Sequence, residues 1–145
     1  MQAIHLSTNQ PLSAEELRAE GVLYQQLSLD EAEYQPVLDA LRAEHGYIEQ
    51  DLIALRPDTP KLDQMLAKFD SEHLHSEDEV RFILEGQGIF DIRSGDDRFI
   101  RVKVEAGDLI IVPKERYHRF ELTETKTITA VRLFQNQSGW VPQYR

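Results

Sequence analysis

The chain has 145 residues, a formal net charge of -10 and no cysteine, which suits one domain that folds without disulfides. The acidic balance excludes nucleic acid and anionic membranes as partners, since both need clustered Lys and Arg; a small anionic substrate in a locally positive pocket stays open. The start, "MQAIHLSTNQPLSAEEL", lacks the basic and apolar regions of a signal peptide, and no apolar run approaches a membrane span, so a cytoplasmic monomer is expected.

In chain order, Ser13 and Glu16 form a capping-box pattern with Gly21 as the stop. "GVLYQQLSL" reads as a short strand. Asp30 to Glu44 reads as a helix with apolar Val37, Leu38 and Leu41, ended by Gly46, and Pro36 marks a fresh start within it. "YIEQDLIAL" fits strand or helix. "RPDTP" is a turn, and Thr59 followed by Pro60 opens a helix to about Lys68. His5 lies in an irregular terminus, and His45 at a helix end, where imidazolium suits the dipole.

From Glu79 the apolar period becomes two. "EVRFIL", "GIFDIRS", "RFIRVKV", "LIIVP", "HRFEL" and "TITAVRLF" are candidate strands, punctuated by "EGQG", "SGDD" and "EAGD". This spacing predicts a mainly β sandwich or small barrel with the N-terminal helices packed outside. The expected domain is 1–145, with 1–69 mainly helical and 70–145 as barrel core.

"HLHSEDEVR" carries the chemistry. If 73–81 runs as a strand, His73, His75, Glu79 and Arg81 share one face. Imidazole suits zinc, copper, iron and nickel, and a carboxylate adds a hard oxygen. A His-x-His pair alone is a weak signal, and "SEDE" equally describes a solvated turn. Read alone, His118 is an ordinary core or surface histidine near a tyrosine. Asp70, Glu72 and Glu77 read as solvated charges. Arg132, between Val131 and Leu133, points to the face opposite them. Arginine in an apolar strand needs a partner, so Arg81 and Arg132 are each as readily structural ion pairs as site residues.

The two halves together match the cupin signature. His73, His75, Glu79 and Gly86 meet H-x-H-x3-E-x6-G. Gly107, Pro113 and His118 meet G-x5-P-x-G-x2-H, except that Glu115 replaces glycine, which predicts a different turn there, and Leu122 stands where asparagine is common. "KFDSEHLHSEDEVRFILEGQGIFDIR", "GDLIIVPKERYHRF", "VRLF" and "GWVPQYR" further resemble the acireductone dioxygenases of methionine salvage, from about residue 17 onward.

That resemblance implies a cupin-type jelly roll. It implies one iron(II) or nickel(II) per chain on His73, His75, Glu79 and His118, and an acireductone and dioxygen as reactants. It places Arg81 and Arg132 at the substrate, Asp78 as a candidate base and Phe69, Phe120 and Trp140 as pocket aromatics. For Asp78 a surface turn, and for Phe69 and Trp140 ordinary core packing, remain open. Family members commonly run on past the equivalent of Arg145, which implies a more open pocket here. The competing functions are a metal-binding cupin with another substrate class, such as oxalate, and a non-catalytic sensor or binding module. Retention of all four candidate ligands argues against the module.

Overall fold

The computed structural model describes residues 1–136 and 141–145. The first helix, α1 (Ala14–Ala19), starts on the capping box: the Ser13 hydroxyl accepts from the Glu16 amide at 3.1 Å and the Glu16 carboxylate from the Ser13 amide at 3.2 Å. Helix α2 (Glu31–His45) is capped by Asp30, which accepts from the Ala32 amide, and ends at Gly46 in the left-handed region. Pro36 lies inside α2 and does not restart it. The ambiguous stretch is strand β3 (Glu49–Leu55). Helix α3 (Leu62–Asp70) begins later than Thr59 because the Thr59 hydroxyl is engaged in the turn, accepting from the Arg56 amide at 2.8 Å. No described helix is long and apolar enough to cross a membrane.

The remaining described strands are β1 (Gln2–His5), β2 (Leu23–Gln26), β4 (His73–Leu74), β5 (Glu79–Arg93), β6 (Phe99–Glu105), β7 (Asp108–Val112), β8 (His118–Leu122), β9 (Ile128–Phe134) and β10 (Gln143–Tyr144). They pair antiparallel in two sheets, β1-β6-β5-β8-β4-β10 and β2-β7-β5-β9-β3. His5 therefore sits on a paired strand and not in an irregular terminus. The first 69 residues contribute strands to both sheets.

Strand β5 belongs to both sheets. Its first part pairs with β7 and β9, its second with β6 and β8. "EGQG" is thus a bend inside one strand and not a turn between two. Register with β9 shifts between Ile83 and Glu85, and Gly86 follows at φ +81°. A Cβ at Gly86 would lie 2.0 Å from the Thr127 carbonyl oxygen, so both conformation and space demand glycine.

Alternation along the strands sorts two apolar clusters. One fills the barrel, with Ile83, Phe90, Ile92, Ile110, Val112 and Ala130 among its members. Helix α3 lays Leu62, Met65, Leu66 and Phe69 against that interior. The other lies on the far face of β5, β7 and β9, where Val80, Phe82, Leu109, Ile111, Val131 and Leu133 meet Tyr34 and Leu38 of α2. Burying a side chain such as Phe82 or Leu38, both fully enclosed, stabilises the fold by about 1.5–3 kcal/mol. The result is the mainly β cupin barrel with α2 packed outside.

Candidate active site

His73 and His118 face each other in register across the β4–β8 bridge, with ring centroids 4.6 Å apart. The His75 ring lies 5.0 Å from His73 and 5.5 Å from His118. Strand parity does not bring them together as expected. Strand β4 ends at Leu74, the chain turns through 75–78, and β5 starts at Glu79. The turn is anchored where the Glu115 amide donates to the His75 carbonyl at 2.7 Å, tying the two motifs. Glu115 adopts φ +59°, the region glycine favours, so the backbone keeps a glycine-type conformation despite the substitution.

Three imidazole nitrogens, one each from His73, His75 and His118, lie within 4.8 Å of one another. Glu79 Oε2 is 3.3 Å from His118 Nε2, and Oε1 is 3.9 Å from His75 Nε2. The Nδ1 atoms of His73 and His118 approach the carbonyls of Ser71 and Arg116 at 2.6 and 2.9 Å. A carbonyl only accepts, so each Nδ1 carries the hydrogen and each Nε2 presents a lone pair. Among the described residues, His118 Nε2 and His75 Nδ1 are buried without a hydrogen-bond partner. Buried polar atoms are almost always satisfied, and a cation among these groups would satisfy His118 Nε2. The donor set therefore fits a transition metal.

The charges of His73, His75 and Glu79 favour the same state. Burial pushes His75 down to about 4, against the pull of Glu79. Burial also lowers His73. His118 goes the other way: burial opposes its cation, but the adjacent Glu79 carboxylate outweighs it. Burial works against the Glu79 anion, yet Arg81, His118 and His75 together hold its pKa below the usual carboxylate range. An anionic Glu79 beside neutral His73 and His75 suits a metal, and the cation that Glu79 favours at His118 is a positive charge that a metal ion in the cluster would supply instead.

Arg81 and Arg132 line the same cavity, of about 90 Å³. They are register partners across β5 and β9, and Asp51 of β3 is the register partner of Arg132. Arg81 Nη2 donates to Glu79 Oε1 at 3.1 Å. Arg132 donates through Nε and Nη2 to the two Asp51 oxygens at 2.8 and 2.7 Å. Phe69 and Phe120 form the apolar side with Phe90, in tilted and edge contacts. Gly88 makes room for Phe120: a Cβ there would meet its ring at 2.5 Å. Trp140 lies outside the described residues.

Asp78 sits one residue before Glu79 but does not line the cavity. Its oxygens accept from the Tyr47 hydroxyl at 2.7 Å and the Lys114 amide at 2.9 Å. Two acids expected to be solvated are paired instead. Glu72 binds Arg93 and Arg145, and Glu77 accepts from the Gln135 and Asn136 amides. Asp51 and Tyr47 are not flagged by any motif. The available signal for Asp51 was its alternation with Ile53 and Leu55, which places it on the inward face once "QDLIAL" is read as a strand.

Known proteins resemble this chain along its whole length. The family model described as ARD/ARD' matches residues 2–142. An acireductone dioxygenase of Heterostelium pallidum is 46% identical over 98% of this chain and 96% of that protein. One of Xenopus tropicalis is 43% identical over 97% of this chain and 79% of its own length. Among solved structures, acireductone dioxygenase from Bacillus anthracis, with a cadmium ion in its active centre, superposes with a TM-score of 0.92 at 33% identity, covering 99% of this chain and 97% of that one. The chain belongs to the ARD/ARD' family, the acireductone dioxygenases.

Proposed function

We propose that this protein is an acireductone dioxygenase that binds one iron(II) or nickel(II) through His73, His75, Glu79 and His118. It cleaves 1,2-dihydroxy-3-keto-5-methylthiopentene with dioxygen. Iron gives 4-methylthio-2-oxobutanoate and formate; nickel gives methylthiopropionate, formate and carbon monoxide. The observation that carries the reading is the cluster of three imidazole nitrogens, with His118 Nε2 buried and without a hydrogen-bond partner among the described residues, beside a carboxylate and two cavity-lining guanidiniums.

When bound, the ion supplies a Lewis-acidic centre for the substrate oxygens and for dioxygen. The chain's own groups do the rest. The Ser71 and Arg116 carbonyls hold His73 and His118 in the tautomer that presents Nε2. Arg81 and Arg132 face the cavity with fixed positive charge, which in a water-poor site stabilises an enediolate strongly. Phe69, Phe90 and Phe120 supply an apolar wall for the methylthio tail and limit water. Asp78 is assigned as proton acceptor from the substrate hydroxyl; it lies outside the cavity lining with both oxygens engaged by Tyr47 and Lys114, so that role requires it to leave those partners and turn toward the cavity. The reading extends to a cytoplasmic monomer, supported by the absence of cysteine and the acidic balance.

The test is reconstitution of the apo-protein with each metal and assay of formate and carbon monoxide from the acireductone, repeated with Asp78→Asn. Formate with both metals, and carbon monoxide with nickel alone, is the expected result. Protein that takes up neither metal, or yields no formate with either, refutes the reading.

A further inference from the structure

Two guanidiniums stand side by side on the cavity wall, because Arg81 and Arg132 are in register on adjacent strands. Like charges in such a place repel strongly, so each needs a counter-charge. Arg81 has Glu79 at 3.1 Å. Arg132 has Asp51, one strand further out, in the same cross-strand row. The difference lies in what else each carboxylate does. Glu79 belongs to the candidate metal cluster, so its negative charge is shared with whatever the histidines hold. Asp51 has no such second duty.

The Asp51 contact is also the more constraining one. It engages Nε and Nη2 together, at 2.8 and 2.7 Å, so the plane of the guanidinium is fixed as well as its position. Asp51 shares the inward face of β3 with Ile53 and Leu55, both of which line the cavity. Its side chain is 36% exposed and that of Arg132 19%, so the pair is only partly open to solvent.

We propose that Asp51 is a positioning residue of the acireductone site: its carboxylate fixes the Arg132 guanidinium at the cavity wall and lowers the positive charge that the Arg81–Arg132 pair presents to an anion. This rests on the function proposed above. It has a chemical rationale beyond orientation. The reactant is an enediolate and the products are carboxylates. A wall with an undiminished second positive charge would hold the products as firmly as it recruits the substrate. Asp51 lets the wall attract an anion without retaining one.

The experiment compares wild type, Asp51→Asn and Asp51→Glu, each with its nickel content measured. It has two readouts: butanoate affinity by calorimetry without oxygen, and steady-state turnover of the acireductone. Asp51→Asn is nearly isosteric and is expected to keep its nickel. Removal of one nearby charge at an effective dielectric typical of partly exposed sites should tighten butanoate binding about fivefold. Loss of the fixed Arg132 orientation should lower kcat about tenfold, with KM lowered or unchanged. Asp51→Glu restores the charge and should return butanoate affinity to within about twofold of wild type. Unchanged butanoate affinity in Asp51→Asn overturns the proposal whatever happens to kcat, because a merely structural ion pair would not raise affinity for an anion. If wild type does not turn over the acireductone while Asp51→Asn still binds butanoate more tightly, the proposed reaction falls and the role of Asp51 stands.

Discussion

Two cross-strand rows of charge in this barrel use the same residue types to opposite effect. On the outer face, Arg101 of β6, Asp91 of β5 and Arg119 of β8 lie in register. Asp91 is buried to 2% exposure and accepts from Arg101 Nε, Arg101 Nη2 and Arg119 Nε at 2.8, 2.9 and 2.9 Å. The anion is central, both oxygens are satisfied, and the guanidiniums reach outward with Arg119 lying over the Phe99 ring. On the inner face, Asp51, Arg132 and Arg81 form the second row. Here the anion is at the end, the two cations are neighbours, and the row runs on to Glu79 and to His118, whose Nε2 has no hydrogen-bond partner among the described residues. A closed network holds a sheet together; an open one is waiting for a ligand.

The comparison breaks most sharply at His118. Because its Nε2 makes no hydrogen bond within the described protein, His118→Ala should leave the barrel folded by circular dichroism. Metal content should fall from about one per chain to near zero and turnover by at least roughly a thousandfold. Retained metal and turnover would remove His118 from the ligand set.

The outer row should behave in the opposite way. Asp91→Asn leaves two guanidiniums with a weakened partner and should cost about 3 kcal/mol of stability in denaturant unfolding, with turnover per folded molecule unchanged. The sign of its pH dependence is fixed. Burial works against the Asp91 anion, but the hydrogen bonds from Arg101 and Arg119 outweigh it and hold its folded pKa below the ordinary value. The stabilisation is therefore fully present above the unfolded value of about 4 and is lost as pH falls below it toward the folded value. Asp91→Asn should lose less stability than wild type over that acidic window. Parallel curves would mean that Asp91 is not the responsible group.

Arg81 sharpens the inner row. Arg81→Ala should keep metal, because it touches Glu79 and not the histidines' presenting nitrogens. It should lower kcat about a hundredfold, the scale for one electrostatic donor. Normal turnover would make the Arg81–Glu79 pair structural, like the outer row. The smallest effect is expected at Glu115, held at φ +59°. Glu115→Gly relieves a conformation that L residues adopt at a cost of about 1 kcal/mol, so melting temperature should rise slightly with activity unchanged. A fall would show that the Glu115 side chain stabilises the turn.

The convergence of His73, His75, Glu79 and His118 was legible through the resemblance of their two stretches to the cupin signature; His118 read alone gave no sign of it. The route was not legible: a turn through 75–78 replaces the continuous strand that parity assumed. The "EGQG" stretch misled because glycines mark turns more often than bends, and only the Thr127 carbonyl packed on Gly86 distinguishes the two. Pro36 and Thr59 misled for a related reason, since local preference yields to tertiary contacts. Asp51 stayed silent because its partner is 81 residues away, and "YIEQDLIAL" does not declare its period until β9 lies beside it.

A strand common to both sheets restricts traffic through the barrel. Along β5 the walls are one continuous backbone, so they cannot part like the leaves of a bivalve to admit a guest without tearing main-chain pairing on both sides. A guest is therefore accommodated by the movement of side chains, such as those of the partly exposed Asp51–Arg132 pair, and not by a parting of the wall along β5.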